Sequence, residues 1–371
     1  MTKQITILCG ETSGDQLAAQ LIHDMQQINP QLSFSGMGGR YLKNAGATQL
    51  VNSESLAIIG VSDIVKKLFT LKKAFETIKS HLTLTPPDLL ILIDNSGFNL
   101  RIARMAKRLG ICVFYYVSPQ IWASRFGRIH QLKKYADHMG VLYDFEKEIY
   151  QQANIPVTHV GHQLATLSRS QFDPNHLRNI LQLDPSSPVI ALLPGSRRSE
   201  LRFHLPLLKR TITQLRETRP DIQFILPLAP NLSPKDIEDK LAEGIHCIQQ
   251  HTHAAIALAD VALVCSGTAT LEVALLNTPM VIFYKLSAFN YFIMKRFVKT
   301  HRIGLCNIVA EKDLAQEYIQ TNATAENLTQ EALRLLTQNT SQPFDQHTQL
   351  RTKLTPSTPL DSPAHTALRL I

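Results

Sequence analysis

Apolar residues in this chain occur in short continuous runs, and the stretches between the runs carry apolar residues at helical spacing. Runs that are nearly free of polar side chains are typical of parallel strands buried on both faces. Alternation of such strands with helices indicates βαβ units in doubly wound α/β sheets. The predicted strands are Ile5–Cys9, Leu89–Ile93, Cys112–Tyr116, Val189–Leu193, Phe224–Pro227, Val261–Cys265 and Met280–Tyr284.

The pattern of a strand followed by a glycine turn begins twice, at Ile5–Gly10 and again at Val189–Gly195. Between these points, residues 161–188 are polar and contain several prolines, which favours an inter-domain linker. At roughly 100–200 residues per domain, the chain has room for two domains, each with its own core. Ligands of open α/β sheets bind beyond the carboxyl ends of the strands, so binding and catalytic residues are expected in the loops that follow the strands.

Two α/β domains that face a cleft are therefore predicted, at residues 1–165 and 166–345. The tail, residues 346–371, is polar at its start and carries several prolines. It is expected either to be loosely ordered or to pack back on the first domain. These limits give each domain the length that a doubly wound sheet needs.

Composition and charge narrow the class of protein only a little. With 44% hydrophobic and 18% charged residues, the chain is an ordinary globular protein rather than a disordered or fibrous one. A net charge of +8 suggests an anionic partner such as phosphate, an acidic membrane surface or nucleic acid. A solvated basic surface without a special partner explains the charge equally well, and no nucleic-acid recognition motif accompanies it.

The five cysteines have no CxxC spacing, and most lie in apolar runs. They are expected to be small buried side chains in a reducing compartment rather than zinc ligands or disulfides. The N-terminus enters a strand without the pattern of a signal peptide, and no apolar run reaches the roughly 18 residues of a spanning helix. A cytoplasmic protein is expected, with any membrane contact peripheral.

The loop Gly10–Asp15 lies between the first strand and a helix predicted from about Gln16 to Met25. Its glycines permit a tight turn, and free N–H groups at the helix N-terminus could bind an anion. The alternative is an ordinary turn in which Ser13 or Asp15 caps the helix. The loop matches neither GxGxxG nor GxxxxGK[ST], so a dinucleotide or Walker-type site is not indicated.

Asp94 ends another apolar strand, where a partly buried carboxylate suits a general base. The alternative is a turn or cap for a helix beginning at about Asn99. The segment Tyr115–Ala123 follows the next strand and contains Trp122, the only tryptophan. Its indole could form an aromatic wall for a sugar or acyl group, although packing in the core is an equally good explanation.

The predicted second domain carries two loops suited to anions. In the first, Gly195 and Ser196 can present backbone N–H groups, and Arg197 can neutralise a diphosphate with a bidentate fork. The second loop, Ser266–Glu272, places glycine and hydroxyl groups at a helix start, with Glu272 one turn in. That carboxylate could accept hydrogen bonds from ribose hydroxyls, whereas a simple capping box would explain only the glycine and the hydroxyls.

Two basic segments have apolar residues at helical spacing. In Ile64–Phe75, the four lysines Lys66, Lys67, Lys72 and Lys73 stand beside the apolar positions, and Phe289–Lys299 is similar. Such helices can lie in an anionic membrane interface. They can also be core-facing helices with a lysine-rich solvent face, which is the favoured interpretation for the second segment.

Together these loops resemble the lipid-A-disaccharide synthase family, and the motifs keep their order from residue 5 to about residue 310. Lys295-Arg296 and Asn307 also fall where the family has them. The matching segments are Gly10–Asp15, Tyr116–Ala123, Val160–His162, Leu192–Arg197 and Ser266–Glu272.

The resemblance implies two Rossmann-like doubly wound domains facing a cleft, which is the GT-B glycosyltransferase fold. The first would bind the acceptor lipid and the second the UDP-sugar. It implies inverting transfer of 2,3-diacylglucosamine from UDP to 2,3-diacylglucosamine 1-phosphate (lipid X), without a cofactor or a metal. The implied partners are UDP-2,3-diacylglucosamine, lipid X and an anionic inner-membrane surface, on which this cytoplasmic protein would lie peripherally. No nucleic acid is implied, and a homodimer is left open.

The resemblance also implies residue roles. Asp94 matches the family's essential aspartate, the base for the acceptor's 6-hydroxyl. The acceptor and acyl side would include Asn99, Ser118, Trp122 and His162. The UDP-sugar would be bound by Ser13, Gly14, Gly195, Ser196, Arg197, Ser266, Gly267, Thr268, Ala269, Thr270, Glu272 and Asn307.

The chain departs from the family pattern at several positions. Ser96-Gly97 replaces Pro-Asp in I-D-x-P-D-F-N, and Ser124 ends the W-A-W motif. Tyr143–Glu146 replaces L-P-F-E, Gln163 replaces the proline of G-H-P, and Cys306 replaces that of L-P-N. The changes cluster on the acceptor and acyl side, so the hypothesis is retained UDP binding with a shifted acyl-chain preference. The alternatives are another GT-B UDP-sugar transferase, an epimerase, or a non-catalytic sugar-nucleotide or lipid-binding protein.

Overall fold

A computed structural model describes residues 2–53, 64–122, 126–229, 232–237, 240–287, 291, 302–338 and 344–371, without the side chains of 64–68 and 344–347. The chain divides into two compact units. Unit 1 comprises residues 1–162 and 354–371, and unit 2 comprises residues 163–353. The domain limits predicted from the sequence lie after residue 165 and before residue 346.

Unit 1 is built on a seven-stranded sheet in the described part of the chain, and every pair of neighbouring strands is parallel. The strand order is β3-β2-β1-β4-β5-β6-β7. The strands are β1 (Gln4–Cys9), β2 (Ser33–Gly38), β3 (Thr48–Asn52), β4 (Leu89–Ile93), β5 (Cys112–Tyr116), β6 (His138–Val141) and β7 (Val157–His159). The helices are α1 (Thr12–Ile28), α2 (Arg40–Asn44), α3 (Ile64–Leu84), α4 (Ser96–Arg108), α5 (Ile129–Tyr135) and α6 (Asp144–Gln152).

Unit 2 repeats the design with six parallel strands in its described residues, in the order β10-β9-β8-β11-β12-β13. The strands are β8 (Val189–Leu193), β9 (Gln223–Pro227), β10 (Ile245–Ile248), β11 (Val261–Cys265), β12 (Met280–Tyr284) and β13 (Glu317–Ile319). The helices are α7 (Pro174–Ile180), α8 (Arg198–Thr218), α9 (Thr252–Leu258), α10 (Thr268–Leu275), α11 (Leu305–Ala310), α12 (Ala325–Thr337) and α13 (Phe344–Leu354), with α14 (Pro363–Leu368) returning to unit 1.

Both sheets reverse their strand order at one point, between β1 and β4 in unit 1 and between β8 and β11 in unit 2. In open α/β sheets, this reversal leaves a crevice beyond the carboxyl ends of the strands, where ligands bind. The central strands are fully buried because helices cover both faces of each sheet. The apolar runs therefore place four loops at the two reversal points.

Two helices begin a few residues earlier in the structure than the sequence predicts. Helix α1 begins at Thr12 rather than Gln16, and α4 begins at Ser96 rather than Asn99, because each helix starts directly after its strand. The predicted linker at 161–188 contains α7, whose first turn is capped by Asp173. Helix α14, which lies in the tail, packs against α1 within unit 1. The alternative expectation, a loosely ordered tail, does not describe this helix.

The cysteine prediction is right for most positions and wrong for one. Cys9, Cys265 and Cys306 are buried and Cys112 is half-buried, but Cys247 is exposed on the edge strand β10. All five are free thiols. Edge strands are covered on fewer sides, so an apolar run there does not guarantee burial.

Candidate active site

In unit 1, the loops after β1 and β4 leave the sheet side by side. Cys9 pairs with Ile93 in the parallel ladder, so Gly10 and Asp94 stand at the same level. A Cβ atom on Gly10 would lie 2.4 Å from Nδ2 of Asn95. Glycine at this position therefore lets the first loop approach the Asp94 turn closely.

The backbone is strained at the ends of β4 and β5. Asp94 has φ 50°, Asn95 has φ 38° and Val117 has φ 63°, all in the left-handed region. Asp and Asn tolerate this region, but a β-branched valine rarely adopts it. Strained residues of this kind concentrate at active sites and switch regions, where surrounding contacts maintain them. Three such residues at two adjacent strand ends point to this edge of the sheet.

The turn at Asp94 is braced from behind by two buried side chains. Asn99 Nδ2 donates to the carbonyl oxygens of Ile93 and Asp94 at 3.1 and 2.9 Å. The Tyr115 hydroxyl donates to the Asp94 carbonyl at 2.8 Å. Asn99 is fully buried, so its position supports a role in fixing Asp94 rather than in touching a ligand.

The Asp94 carboxyl group is half-buried and faces a second acid. Burial raises its pKa above the ordinary aspartate value, and the charge of Glu11 raises it further. A hydrogen bond from the Asn95 backbone opposes the rise. A carboxylate with a raised pKa accepts a proton more readily, which is the property a general base requires.

The first loop does not show the predicted capping of α1 by Ser13 or Asp15. Ser13 is exposed in the first turn of α1. Gly14 is buried, and a Cβ atom at this position would lie 3.3 Å from the Cβ of Cys9. The carboxylate of Asp15 caps helix α2, accepting the N–H groups of Gly39, Tyr41 and Leu42 at 2.8–3.1 Å. It does not cap its own helix, and the N-cap of α1, Glu11, makes no side-chain cap hydrogen bond.

Beside β5, a buried acid joins two of the predicted acceptor-side residues. Oε1 of Glu146 accepts the Ser118 hydroxyl at 2.8 Å and the Trp122 Nε1–H at 3.1 Å. Burial raises the pKa of Glu146 to about 7, although both hydrogen bonds oppose the rise. The sequence gives no sign of this role for Glu146, because the residue occupies an ordinary acidic position in the first turn of α6.

Four aromatic rings of unit 1 form a row that links Trp122 to His162. Trp122 stands edge-on to Phe145 at a centroid distance of 5.2 Å. Phe145 stacks on Tyr143 at 5.7 Å, and Tyr143 stacks on His162 at 5.6 Å. Trp122, Phe145 and His162 are half-buried, so each side chain is partly accessible. The structure thus brings two predicted acceptor-side residues into one aromatic surface.

In unit 2, the loop after β8 is arranged by Glu200. The buried carboxylate accepts the N–H groups of Ser196 and Arg197, both at 3.2 Å, and pairs with the Arg197 guanidinium at 3.1 Å. A Cβ on Gly195 would lie 2.6 Å from Oε2 of Glu200, at a φ of +111° that favours glycine. Of the two N–H groups predicted to face a phosphate, that of Ser196 is therefore bound to an internal carboxylate in this conformation. The Arg197 side chain, 72% exposed, remains accessible.

The loop after β11 is divided into an accessible part and a buried part. Gly267 and Thr268 are exposed, and Ser266, Ala269 and Glu272 are half-buried. Gly267 is the N-cap of α10 with φ 154°, and a Cβ there would meet open space. The backbone is thus accessible to a ligand at the start of this helix. Glu272 has a histidine neighbour, with His253 Nε2 at 3.8 Å.

Thr270 and Asn307 face the interior and stabilise the loop instead. Thr270 Oγ1 donates to the Gly267 carbonyl at 2.8 Å, and the side chain is fully buried. Asn307 uses its whole amide: Nδ2 donates to Ala315 O and to Glu317 Oε1, and Oδ1 accepts the N–H groups of Leu314 and Ala315. A direct contact of either side chain with UDP would require breaking these bonds.

Glu317 is a second acid whose role is not apparent in the sequence. Its carboxylate accepts the N–H groups of Ile303 and Gly304, each at 2.9 Å. The Ile303 carbonyl in turn accepts the Ser266 hydroxyl at 2.6 Å. Glu317 lies on a strand that the apolar pattern did not reveal, so only the fold connects it with the loop after β11.

A fully buried histidine connects two loops of unit 2. Nδ1 of His204 lies 2.6 Å from the Pro194 carbonyl, and Nε2 accepts the Lys285 N–H at 3.1 Å. Because a carbonyl can only accept, the proton is assigned to Nδ1. Burial lowers the pKa of this imidazole, consistent with a neutral ring. His204 therefore fixes the start of the Gly195 loop.

Some predicted features lie outside the described residues. Lys295, Arg296 and nearly all of Phe289–Lys299 are outside the described residues, as is Ser124. Within the described ranges, no three His, Cys, Asp or Glu side chains are grouped to bind a metal ion. Those same ranges contain no helix that is both long and apolar enough to cross a bilayer.

Comparison with protein families gives a match over nearly the whole chain. The model described as lipid-A-disaccharide synthetase matches residues 5–364. A lipid-A-disaccharide synthase of Coxiella burnetii is 41% identical over 334 residues, covering 90% of this chain and 89% of the relative. One from Trichlorobacter lovleyi is 42% identical over 338 residues, covering 90% and 88%. Lipid-A-disaccharide synthase 1 of Legionella pneumophila is 40% identical, covering 87% and 85%.

Solved structures with low sequence identity share the fold. The kitacinnamycin glycosyltransferase superposes with a TM-score of 0.62 at 12% identity, covering 100% of this chain and 98% of the other. The calicheamicin glycosyltransferase CalG4 gives 0.60 at 14% identity, covering 100% and 97%. A UDP-GlcNAc 2-epimerase from Neisseria meningitidis gives 0.58 at 12%, covering 100% and 98%. The predicted α/β class with two Rossmann-like sheets of GT-B type is confirmed.

Proposed function

The chain belongs to the lipid-A-disaccharide synthase family of glycosyltransferases, and from this premise we propose the roles of its residues in the reaction. The family reaction transfers 2,3-diacylglucosamine from UDP to lipid X with inversion. The substrates are accordingly a UDP-sugar and a phosphorylated acyl-glucosamine. The observation that carries the proposal is Asp94, an acid of raised pKa on a strained turn at the strand-order reversal.

Asp94 is the general base of unit 1. Its carboxylate takes the proton from the acceptor's 6-hydroxyl as that oxygen attacks the anomeric carbon of the donor. The bond between the anomeric carbon and the UDP oxygen breaks on the opposite face, which inverts the configuration. Asn99 and Tyr115 supply no proton in this scheme, because their bonds to the Asp94 carbonyl fix the turn.

Unit 2 stabilises the charge that develops on the departing UDP. The exposed Arg197 guanidinium and the open backbone at Gly267 are suited to the diphosphate. Glu272 accepts hydrogen bonds from the ribose hydroxyls, as acids do in related nucleotide sites. Glu200 acts as an internal anion that preserves the geometry of the Gly195 loop, and it must yield wherever phosphate oxygen takes the Ser196 N–H.

The assay for this function is UDP release from UDP-2,3-diacylglucosamine with and without lipid X in detergent micelles. Release that depends on lipid X supports the transferase. Release or isomerisation of UDP-GlcNAc without a lipid acceptor would identify an epimerase instead. Binding of UDP without turnover on any acyl-glucosamine acceptor would identify a binding protein. Donor and acceptor series of different acyl length test the predicted shift in chain preference in the same assay.

The surface of α3 is the proposed contact with an anionic membrane. Its inner side is anchored by the buried Ala74 and by Phe75, which stands edge-on to Phe98 at 6.2 Å. Its outer side exposes Phe69, 70% accessible, together with Lys72 and Lys73. An exposed aromatic ring beside lysines suits an interface of anionic lipids.

Replacing Lys72 and Lys73 with glutamine should weaken vesicle binding. At about 1 kcal/mol per basic residue near an anionic surface, the loss corresponds to roughly 10- to 30-fold in partitioning. Co-sedimentation with phosphatidylglycerol vesicles at low salt measures it, because salt screens the attraction. The control removes Lys209 and Arg210, two exposed cations of α8. Equal binding by both double variants would rule out α3 as the contact.

The functional assignment of the units and the oligomeric state are part of the same proposal. Unit 1 would bind the acceptor lipid, and unit 2 would bind the UDP-sugar. Isothermal titration of UDP against unit-2 variants such as Glu272→Gln, compared with unit-1 variants such as Ser118→Ala, tests this division. A homodimer stays a prediction, and sedimentation of the purified chain measures it.

A further inference from the structure

The loop that follows β5 carries Ser118 and Trp122, and both side chains point to the same atom. Ser118 donates to Oε1 of Glu146 at 2.8 Å, and the Trp122 indole N–H donates to that oxygen at 3.1 Å. The carboxylate is therefore a shared acceptor between residues four positions apart in the loop. Loops are usually mobile, so a common buried anchor restricts the relative positions of the two side chains.

Glu146 is almost fully buried, and its Oε1 atom already accepts hydrogen bonds from Ser118 and Trp122. Its side chain is 2% exposed, on α6, and 24 and 28 residues separate it along the chain from Trp122 and Ser118. Burying a carboxyl group is unfavourable unless hydrogen bonds compensate. Such a costly group in this position requires an explanation beyond the ordinary preference for acids in the first turn of a helix.

A ring contact beside Glu146 gives Trp122 a second contact with α6. Phe145 precedes Glu146 in α6 and meets the Trp122 ring edge-on at 5.2 Å. One helix turn thus contacts the indole through its N–H and through a T-shaped ring pair. The preceding Val117 is in the strained left-handed region with φ 63°, so the loop needs fixed contacts to retain its course.

We propose that Glu146 is a positioning residue for acceptor binding, which fixes Ser118 and Trp122 in a single arrangement through its Oε1 atom. This inference rests on the proposed function, in which these two residues lie on the acceptor side. It concerns acceptor affinity rather than the transfer step, because the side-chain hydrogen bonds of the Glu146 carboxylate go to Ser118 and Trp122. The effect should therefore appear in the KM for lipid X and not in the KM for the UDP-sugar.

The decisive variants are Glu146→Met and Glu146→Gln. Methionine has a similar length and offers no comparable acceptor, so it leaves two donors without their partner. Glutamine keeps a carbonyl oxygen that can accept from both Ser118 and Trp122. We expect the KM for lipid X to rise about tenfold or more in Glu146→Met and to stay within about threefold of the parent in Glu146→Gln, since an unsatisfied buried donor has a substantial cost.

Trp122 supplies a readout that does not depend on activity, because it is the only tryptophan of the chain. Its emission maximum and its quenching by acrylamide should change in Glu146→Met and remain near the parent values in Glu146→Gln. Titration of lipid X against this fluorescence gives acceptor affinity even if the parent protein shows no turnover. Failure of the proposed function can thus be separated from failure of this inference.

Asp144→Asn is the matched control, since Asp144 is also an acid in the first turn of α6 but is exposed. If Glu146 only stabilised the helix terminus, Asp144→Asn and Glu146→Met would both lower Tm without changing acceptor affinity. A change in Trp122 fluorescence with unchanged affinity for lipid X would overturn the proposal. Loss of affinity in Glu146→Gln equal to that in Glu146→Met would also overturn it, because charge rather than the shared acceptor would then be decisive.

Discussion

Replacing Asp94 with asparagine is expected to lower lipid X-dependent UDP release by roughly 10²- to 10⁴-fold, the usual contribution of a general base. Asparagine is the sharpest substitution because it matches the size of aspartate and tolerates the left-handed backbone, with φ 50° at this position. The bonds from Asn99 and Tyr115 go to the backbone carbonyl, so they survive the change. Loss of activity would then reflect the missing carboxylate rather than a collapsed turn.

The stability of Asp94→Asn should rise at neutral pH, although its activity falls. Burial and Glu11 raise the pKa of Asp94, so the ionised carboxylate is less favourable in the folded chain than in the unfolded one. The stability associated with this group is present below its unfolded pKa and is lost as pH rises through the folded pKa. Asp94→Asn should therefore have a higher Tm than the parent at neutral pH, and the difference should vanish in acid.

Asp88, at the other end of the same strand, provides the control. It accepts the Gln4 N–H at 2.8 Å and pairs with Lys3 at 2.9 Å, and these contacts lower its pKa. Its stabilising effect is present above the unfolded pKa and is lost as pH falls. Asp88→Asn should thus reduce Tm at neutral pH and spare turnover. Activity of Asp94→Asn within tenfold of the parent would contradict the assignment of the base.

The pH profile gives an independent check on Asp94. The acid limb of kcat/KM should lie above the ordinary aspartate range, because activity requires the ionised base and its pKa is raised. Glu11→Gln removes one cause of that rise and should move the limb to lower pH. An acid limb that does not move in Glu11→Gln would indicate that another group controls ionisation.

Replacing Arg197 with alanine is the second prediction with a large effect, a fall in kcat/KM of roughly 10²- to 10³-fold. The guanidinium is 72% exposed at the start of α8, where the helix N-terminus also attracts anions. Its ion pair with Glu200 is largely solvent-screened on the arginine side, so losing it should cost no more than about 1 kcal/mol of stability. The effect should therefore fall on the reaction and not on folding.

Two further variants sharpen this test. Arg197→Lys keeps the charge but lacks the planar fork that binds two phosphate oxygens, so it should recover only part of the lost rate. Arg198 is the adjacent residue, 79% exposed and paired with Asp236, and Arg198→Ala makes the same change of charge. Steady-state kinetics and inhibition by UDP distinguish the three variants. Equal losses in Arg197→Ala and Arg198→Ala would indicate general electrostatic attraction instead of a specific contact.

The sequence alone determined the central framework. The continuous apolar runs identified all of β4, β5, β8, β11 and β12 to the residue, because strands covered on both faces need apolar side chains at every position. Loops that follow such strands must lie at the carboxyl edge of the sheet. For this reason the sequence alone indicates Asp94, Arg197 and the Ser266–Glu272 segment as candidate site residues.

The strands that the apolar pattern did not predict are those that form only by pairing with a neighbouring strand. β3, β7, β10 and β13 are the outer strands of the two sheets, and they are short and partly polar because less of their surface is covered. β2 and β6 contain glycine and polar residues that resemble loop sequence. Pairing with an adjacent strand supplies the hydrogen bonds that define them, and that pairing is invisible in a local pattern.

The partnerships between polar side chains become visible only in the folded chain. Glu146, Glu200 and Glu317 each bind loop donors, and in Glu146 and Glu317 those donors are more than ten residues away along the chain. Conversely, Asn307 and Thr270 were selected by sequence, yet their side chains are buried and satisfied within unit 2. Apolar periodicity records burial along the chain, whereas hydrogen-bond partners depend on distances that exist only after the sheets have formed.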